Sequence, residues 1–95
     1  MLNRDEFIAN AEITTEDRRH FTLRYYISHA AAQNGSMIYG LKIEKYAENG
    51  ALAESNRTPA FTESPAVAAK LAERFAQGQV TPMTLLEMAD EWVLS

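Results

Sequence analysis

FIANAEITTEDRRHFTLRYYI, residues 7–27, carries two runs of alternation about a charged centre. Phe7, Ala9, Ala11 and Ile13 alternate with polar or smaller residues, and Phe21, Leu23, Tyr25 and Ile27 repeat the pattern after the charges. A period of two marks a strand with one buried face, because successive side chains point to opposite sides of the pleat. The charged centre is then a turn, and parity sets its length. A three-residue loop at Glu16 to Arg18, or a five-residue loop about the same centre, sets Ile13 opposite Phe21, Ala11 opposite Leu23 and Phe7 opposite Ile27. A two-residue turn would pair Ile13 with Thr22 and send the two apolar sets to opposite faces, so an odd-length loop is expected. The one dense basic run, Arg18, Arg19 and His20, follows directly on Glu16 and Asp17 and reads as a solvated turn.

The same test runs outward along the chain. Met37, Tyr39, Leu41 and Ile43 share one face of a third strand. A two-residue turn at Asn34 and Gly35 would set Leu41 opposite Ser28, so a three-residue loop with Gly35 at positive φ, or a bulge, is expected instead. At Asn49 and Gly50 a two-residue turn keeps parity, pairing Ala47 with Leu52 and Lys45 with Glu54. The short polar strand that follows, with Pro59 beyond it, suits a sheet edge.

The period then changes. Ser64 is a good N-cap, Pro65 stands at the first helical position and Gly78 lies just past the end. Val67, Leu71 and Phe75, with Ala68 and Ala72 beside them, make one apolar stripe for the sheet. Ala9 and Ala11 are small enough to let a helix approach closely. Thr81 and Pro82 repeat the cap, and Leu85, Met88, Ala89 and Trp92 mark one face of a second helix, flanked by Leu86 and Val93. The expected fold is α+β: an antiparallel four-stranded β-meander, with strands near 7–15, 20–30, 37–47 and 51–57, and two C-terminal helices, near 65–77 and 82–93, packed on one face.

Composition excludes whole classes of function. The 95 residues fit one domain and contain no cysteine, which removes disulfides, thiolate metal sites and cysteine nucleophiles. A net charge of -4 argues against general nucleic-acid binding, which needs cations to displace counterions from phosphates. The start has charges where a signal peptide needs an apolar run, and no stretch approaches the ~20 apolar residues that span a bilayer; a cytoplasmic location without membrane attachment is expected. His20 and His29 fit no metal-ligand spacing, and no phosphate-binding or nucleophile-elbow motif occurs, so no metal, cofactor or catalytic residue is expected.

The segment GLKIEKYAENGALAE, a capped alanine-rich helix and then VTPMTLLEMADEWV resemble a family of short clostridial-type bacterial proteins of unknown function. The resemblance covers roughly residues 37–95 and rests chiefly on the VTP helix start with the apolar and acidic residues after it. It implies a bacterial origin and carries no activity or functional residues.

Two readings of function follow. In the first, the chain is a small cytoplasmic protein-interaction or regulatory module without catalytic activity, binding a protein partner or itself. Its contact residues would be Arg24, Tyr26, Ile38, Lys42 and Tyr46 on the face of the sheet away from the helices, together with Glu87, Asp90 and Glu91 on the last helix. Those acids stand where the helix dipole disfavours them, and Lys70 and Arg74 are the nearest compensating cations in sequence. In the alternative, a small ligand or a minor enzymatic reaction occupies a pocket between sheet and helices near Tyr25, His29 and Tyr39. Size and the lack of motifs favour the first reading over an enzyme.

Overall fold

The computed structural model describes residues 4–94, with side chains over 5–92. In chain order it contains β1 (Arg4–Thr14), β2 (His20–Ala31), β3 (Met37–Ala47), β4 (Leu52–Arg57), α1 (Pro65–Gln77), a 3-10 turn (Pro82–Thr84) and α2 (Leu85–Leu94). The strands form one open antiparallel sheet in the order β1-β2-β3-β4, and the helices follow on one side of it, an α+β meander.

All three hairpins close with one device, a three-residue loop whose last residue is left-handed. In the first, Arg18 (φ 66) donates its N–H to Thr15 O at 2.9 Å, and Ile13 faces Phe21 and Ala11 faces Leu23 as parity requires. In the second, Gly35 (φ 88) donates to Ala32 O at 3.0 Å and Ile27 faces Leu41. The third corrects the expected two-residue turn. Gly50 (φ 85) donates to Ala47 O at 2.9 Å, Leu52 faces Tyr46 rather than Ala47, and a register shift then returns Lys45 to Glu54, where the side chains pair at 3.5 Å. The cause is the asparagine: Asn34 Oδ1 accepts from Ser36 N–H and Asn49 Oδ1 from Ala51 N–H, both at 3.0 Å, a local bond that favours the longer loop in both places.

A second correction lies in β1. Ala9 faces Tyr25, but Phe7 faces Tyr26 and Glu6 faces Ile27, with a bulge at Ile8. Phe7 and Ile8 compete for one inward position. The extra residue lets Ile8 and Ala9 both pack against the core and turns Phe7 to the other face, where it is 50% exposed.

The core joins Leu23, Tyr25, Ile27, Leu41 and Ile43 of the sheet to Ala68, Leu71, Ala72, Phe75 and Ala76 of α1, then to Val80, Leu85 and Ala89. α1 lies chiefly over β2 and β1, with Ala9 and Ala11 beneath it. Leu23 and Leu71 are fully buried, each contributing about 1.5–3 kcal/mol against exposure. Val67, expected in the stripe, is 36% exposed because the seam is centred one residue further on, at Ala68 and Leu71. Ser64 Oγ caps α1 by accepting from Val67 N–H at 3.2 Å. Thr81 does not cap: its hydroxyl lies 3.3 Å from that of Thr84, and the first turn tightens to 3-10 form, so α2 proper begins at Leu85. Three bonds fix this connection to the sheet, Tyr25 Oη donating to Val80 O at 2.7 Å, Gln79 Nε2 to Glu12 O at 2.9 Å and Asn56 Nδ2 to Pro82 O at 3.2 Å.

Between β4 and α1 the chain keeps hold of β3. Thr58 N–H donates to Leu41 O at 2.9 Å and Thr58 Oγ1 accepts from Leu41 N–H at 3.0 Å, while Phe61 N–H donates to Tyr39 O at 2.8 Å. Gly40 stands between these anchors, and a Cβ there would lie 2.9 Å from both Pro59 O and Thr58 Oγ1. The missing side chain is what lets the Thr58–Pro59 backbone cross.

Candidate interaction surface

Alternation along β2 and β3 buries Leu23, Tyr25, Ile27, Leu41 and Ile43 under α1, so Arg24, Tyr26, Lys42, Glu44 and Tyr46 must point to the other face. No described element lies over them there. Tyr26, Lys42, Glu44 and Tyr46 are partly screened from water by one another instead, while Arg24 is exposed. Lys42 Nζ reaches Asp5 Oδ2 at 3.1 Å and Glu44 Oε2 at 3.2 Å, and Arg57 approaches the same Asp5 oxygen at 3.4 Å. Tyr46 Oη donates to Glu44 Oε1 at 2.8 Å. Around these bonds the rings and cations interleave. Lys42 lies 5.6 Å from the centre of the Tyr26 ring, Arg24 lies 5.7 Å from that of Phe7 and 5.8 Å from that of Tyr46, and Phe7 meets Tyr26 edge-on at 5.8 Å.

The titration behaviour follows from this packing. Burial is the largest influence on Lys42 and acts to lower its pKa, but the bonds and charges of Asp5 and Glu44 outweigh it and the net shift is upward. For Glu44, burial acts upward and the bonds from Tyr46, Tyr26 and Lys42 overcome it, leaving the carboxyl below its usual range. Burial, then hydrogen bonding to Glu44, raises the Tyr26 hydroxyl. Both shifts favour the charged forms, so Lys42 stays protonated and Glu44 ionised around neutral pH.

The expected contact residues separate into groups. Arg24, Tyr26, Lys42 and Tyr46 come together. Ile38 shares their face but stands four residues along β3 from Lys42, about 13 Å away, beyond the Pro59 crossing at Gly40. Glu87, Asp90 and Glu91 belong to the helix layer, apart from the tyrosines; Glu91 lines a groove between α1 and α2, and Asp90 a smaller one beside Phe61. Among the described residues no ion pair joins Lys70 or Arg74 to these acids. Asp5, Phe7, Glu44 and Arg57 are the members that reading by sequence overlooked. Glu44 and Arg57 could have been found from the parity that places Lys42, whereas Asp5 and Phe7 depend on the bulge.

The residues named for the alternative pocket line neither of the two largest grooves. Tyr25 is buried and its hydroxyl is bonded to Val80; burial pushes its pKa up to about 12. His29 packs edge-on against Tyr39 at 5.0 Å, with Nε2 3.4 Å from Glu6 Oε1. Among the described residues, no group of three or more His, Cys, Asp or Glu is arranged to hold a metal ion, and no helix is long and apolar enough to cross a membrane.

Comparison with curated proteins finds no match, and neither does comparison with solved structures. A family model matches from β1 to the end of the chain, a longer span than the resemblance read from the second half of the sequence. The chain belongs to a family described as "Family of unknown function (DUF6514)", matched over residues 4–95.

Proposed function

We propose that the protein is a non-catalytic interaction module that binds a protein partner through the outer face of its sheet, around Arg24, Tyr26, Lys42 and Tyr46. The observation that carries this reading is the preassembled cluster itself: aromatic rings and charged groups held in one arrangement on a face that no described element covers. Tyrosine and arginine are the residue types that dominate protein contacts, and side chains already ordered lose little further entropy on binding. Arg24, the exposed cation lying against the Phe7 and Tyr46 rings, would meet an acidic group on the partner, with the rings supplying apolar contact on either side. The cytoplasm is the compartment that suits a cysteine-free chain of this kind.

The test is comparative capture from a lysate of the cell that makes the protein, using wild type, Arg24→Glu and Glu87→Lys chains of matched thermal stability. A partner held by wild type and by Glu87→Lys but lost with Arg24→Glu is the expected result. Partners retained equally by all three chains would refute the outer-face reading.

A further inference from the structure

α2 is the more apolar of the two helices, yet it buries little of what it carries. Of its described apolar side chains, Leu85 and Ala89 are buried, while Leu86, Met88 and Trp92 remain 43%, 38% and 37% exposed. Met88 and Trp92 form one wall of a groove of about 330 Å³ whose other wall is Leu71, Arg74 and Phe75 of α1. The groove continues past Trp92 into a second hollow of about 120 Å³ beside Val67 and Lys70. Its rims carry opposite charge, Lys70 and Arg74 on α1 against Glu91 on α2, and no ion pair within the chain joins them among the described residues. Glu91 also sits in the C-terminal half of α2, where the helix dipole adds to the need for a cation.

A surface with an apolar centre, one basic rim and one acidic rim is complementary to itself. Turned about a two-fold axis, the acidic rim of one copy meets the basic rim of the other, twice over, with the apolar strips between them. We propose that the α1–α2 face is a self-association surface, on which a second copy of the chain docks about a two-fold axis. Met88 and Trp92 of each copy lie at the groove of the other, and Glu91 of each lies against Arg74 of the other. This surface is on the opposite side of the sheet from Tyr26, so such a dimer would present two outer faces; the inference does not depend on what those faces bind.

Light scattering over a concentration series up to about 1 mM, the weakest range in which a specific contact is read with ease, tests it. Wild type is expected to pass from monomer to dimer, less readily at high salt. Arg74→Glu and Glu91→Arg chains, each altered at an exposed helix position, should each weaken the dimer about tenfold or more by bringing like charges together in both contacts. Mixed one to one, they should associate at least as well as wild type, since every contact in the mixed pair again joins opposite charges. Arg24→Glu should leave the mass unchanged, which separates this surface from the outer sheet face. Wild type monomeric throughout, or a dimer indifferent to both reversals, or single variants that mixing does not restore, would overturn the proposal. Restoration in the double variant alone, without restoration on mixing, would place the charge pair within one chain and overturn it equally.

Discussion

Gly40→Ala sets two physical effects against each other. Gly40 lies in the middle of β3, and a glycine within a strand is costlier than alanine by about 0.5–1 kcal/mol, so backbone entropy alone says the substitution stabilises. The surroundings say otherwise. The new Cβ would stand 2.9 Å from Pro59 O, 2.9 Å from Thr58 Oγ1 and 3.1 Å from Ser28 Oγ, and two of these groups are tied down. Thr58 is bonded to Leu41 through both its N–H and its hydroxyl, and Pro59 follows it directly. Overpacking of this kind costs about 1–3 kcal/mol, and displacing Thr58 would leave the buried Leu41 N–H short of its acceptor for about 1–3 kcal/mol more. A net loss of about 2 kcal/mol is expected, which for a domain of this size lowers Tm by about 8–16 °C. Thermal unfolding followed by circular dichroism reads this directly. Gly78→Ala is the matched control, since its nearest contact would be Arg74 O at an ordinary 3.6 Å and its φ is -88; it should leave Tm unchanged or raise it. If Gly40→Ala were as stable as wild type, the crossing of Thr58–Pro59 over β3 could not be as close as described, and the steric argument would be refuted.

Ser64→Ala should cost about 1 kcal/mol by freeing Val67 N–H, whereas Thr81→Ala should change urea stability by less than half of that, because the Thr81 hydroxyl caps no backbone group. Tyr25→Phe should lose about 1–3 kcal/mol by leaving Val80 O without its donor. In wild type the Tyr25 pKa is raised from 10.0 to about 12, so its contribution is complete below pH 10 and lost as pH rises through about 12; tyrosinate absorbance measured beside unfolding should show the loss in that window, and Tyr25→Phe should show a smaller one, since Tyr26 and Tyr46 are raised as well. At Gln79, which is left-handed (φ 56) and donates from Nε2 to Glu12 O at 2.9 Å, glycine should be tolerated better than alanine by about 1 kcal/mol in chemical denaturation, since both lose the bond but only glycine relieves the backbone.

The fold was legible wherever burial on one face fixed parity. Ile13 against Phe21 and Ile27 against Leu41 could be read from alternation because a slip by one residue would have emptied the core face. Ser64 and Pro65 announced α1 because cap chemistry is local. Legibility failed where two local solutions were nearly equal in energy. Asn49-Gly50 can close a two-residue turn or a longer one, and the choice turned on whether the asparagine side chain took the Ala51 N–H, with a register shift absorbing the extra residue. Phe7 and Ile8 are both apolar, and nothing near them in sequence says that the strand bulges to bring Ile8 inward. Of the outer sheet face, Arg24, Tyr26, Lys42 and Tyr46 were legible by parity. Their company with Asp5 and Phe7 was not, because it depends on that bulge.

The bulge therefore links the two sides of the sheet. On the inner side it sets Ile8 and Ala9 against the core; on the outer side it places Phe7 against Tyr26 and Arg24, and Asp5 within reach of Lys42 and Arg57. Without it, continued alternation would carry Phe7 inward opposite Ile27 and leave the outer cluster without its first-strand members. The side chains of Lys42, Glu44 and Asp5 keep only 19%, 14% and 25% of their exposure, a degree of shielding in which an ion pair is screened less by salt than one on an open surface. A packing decision made for the core thus produces the ordered arrangement of rings and charges on the face opposite, and under the proposed interaction role that order would lower the entropic cost of binding.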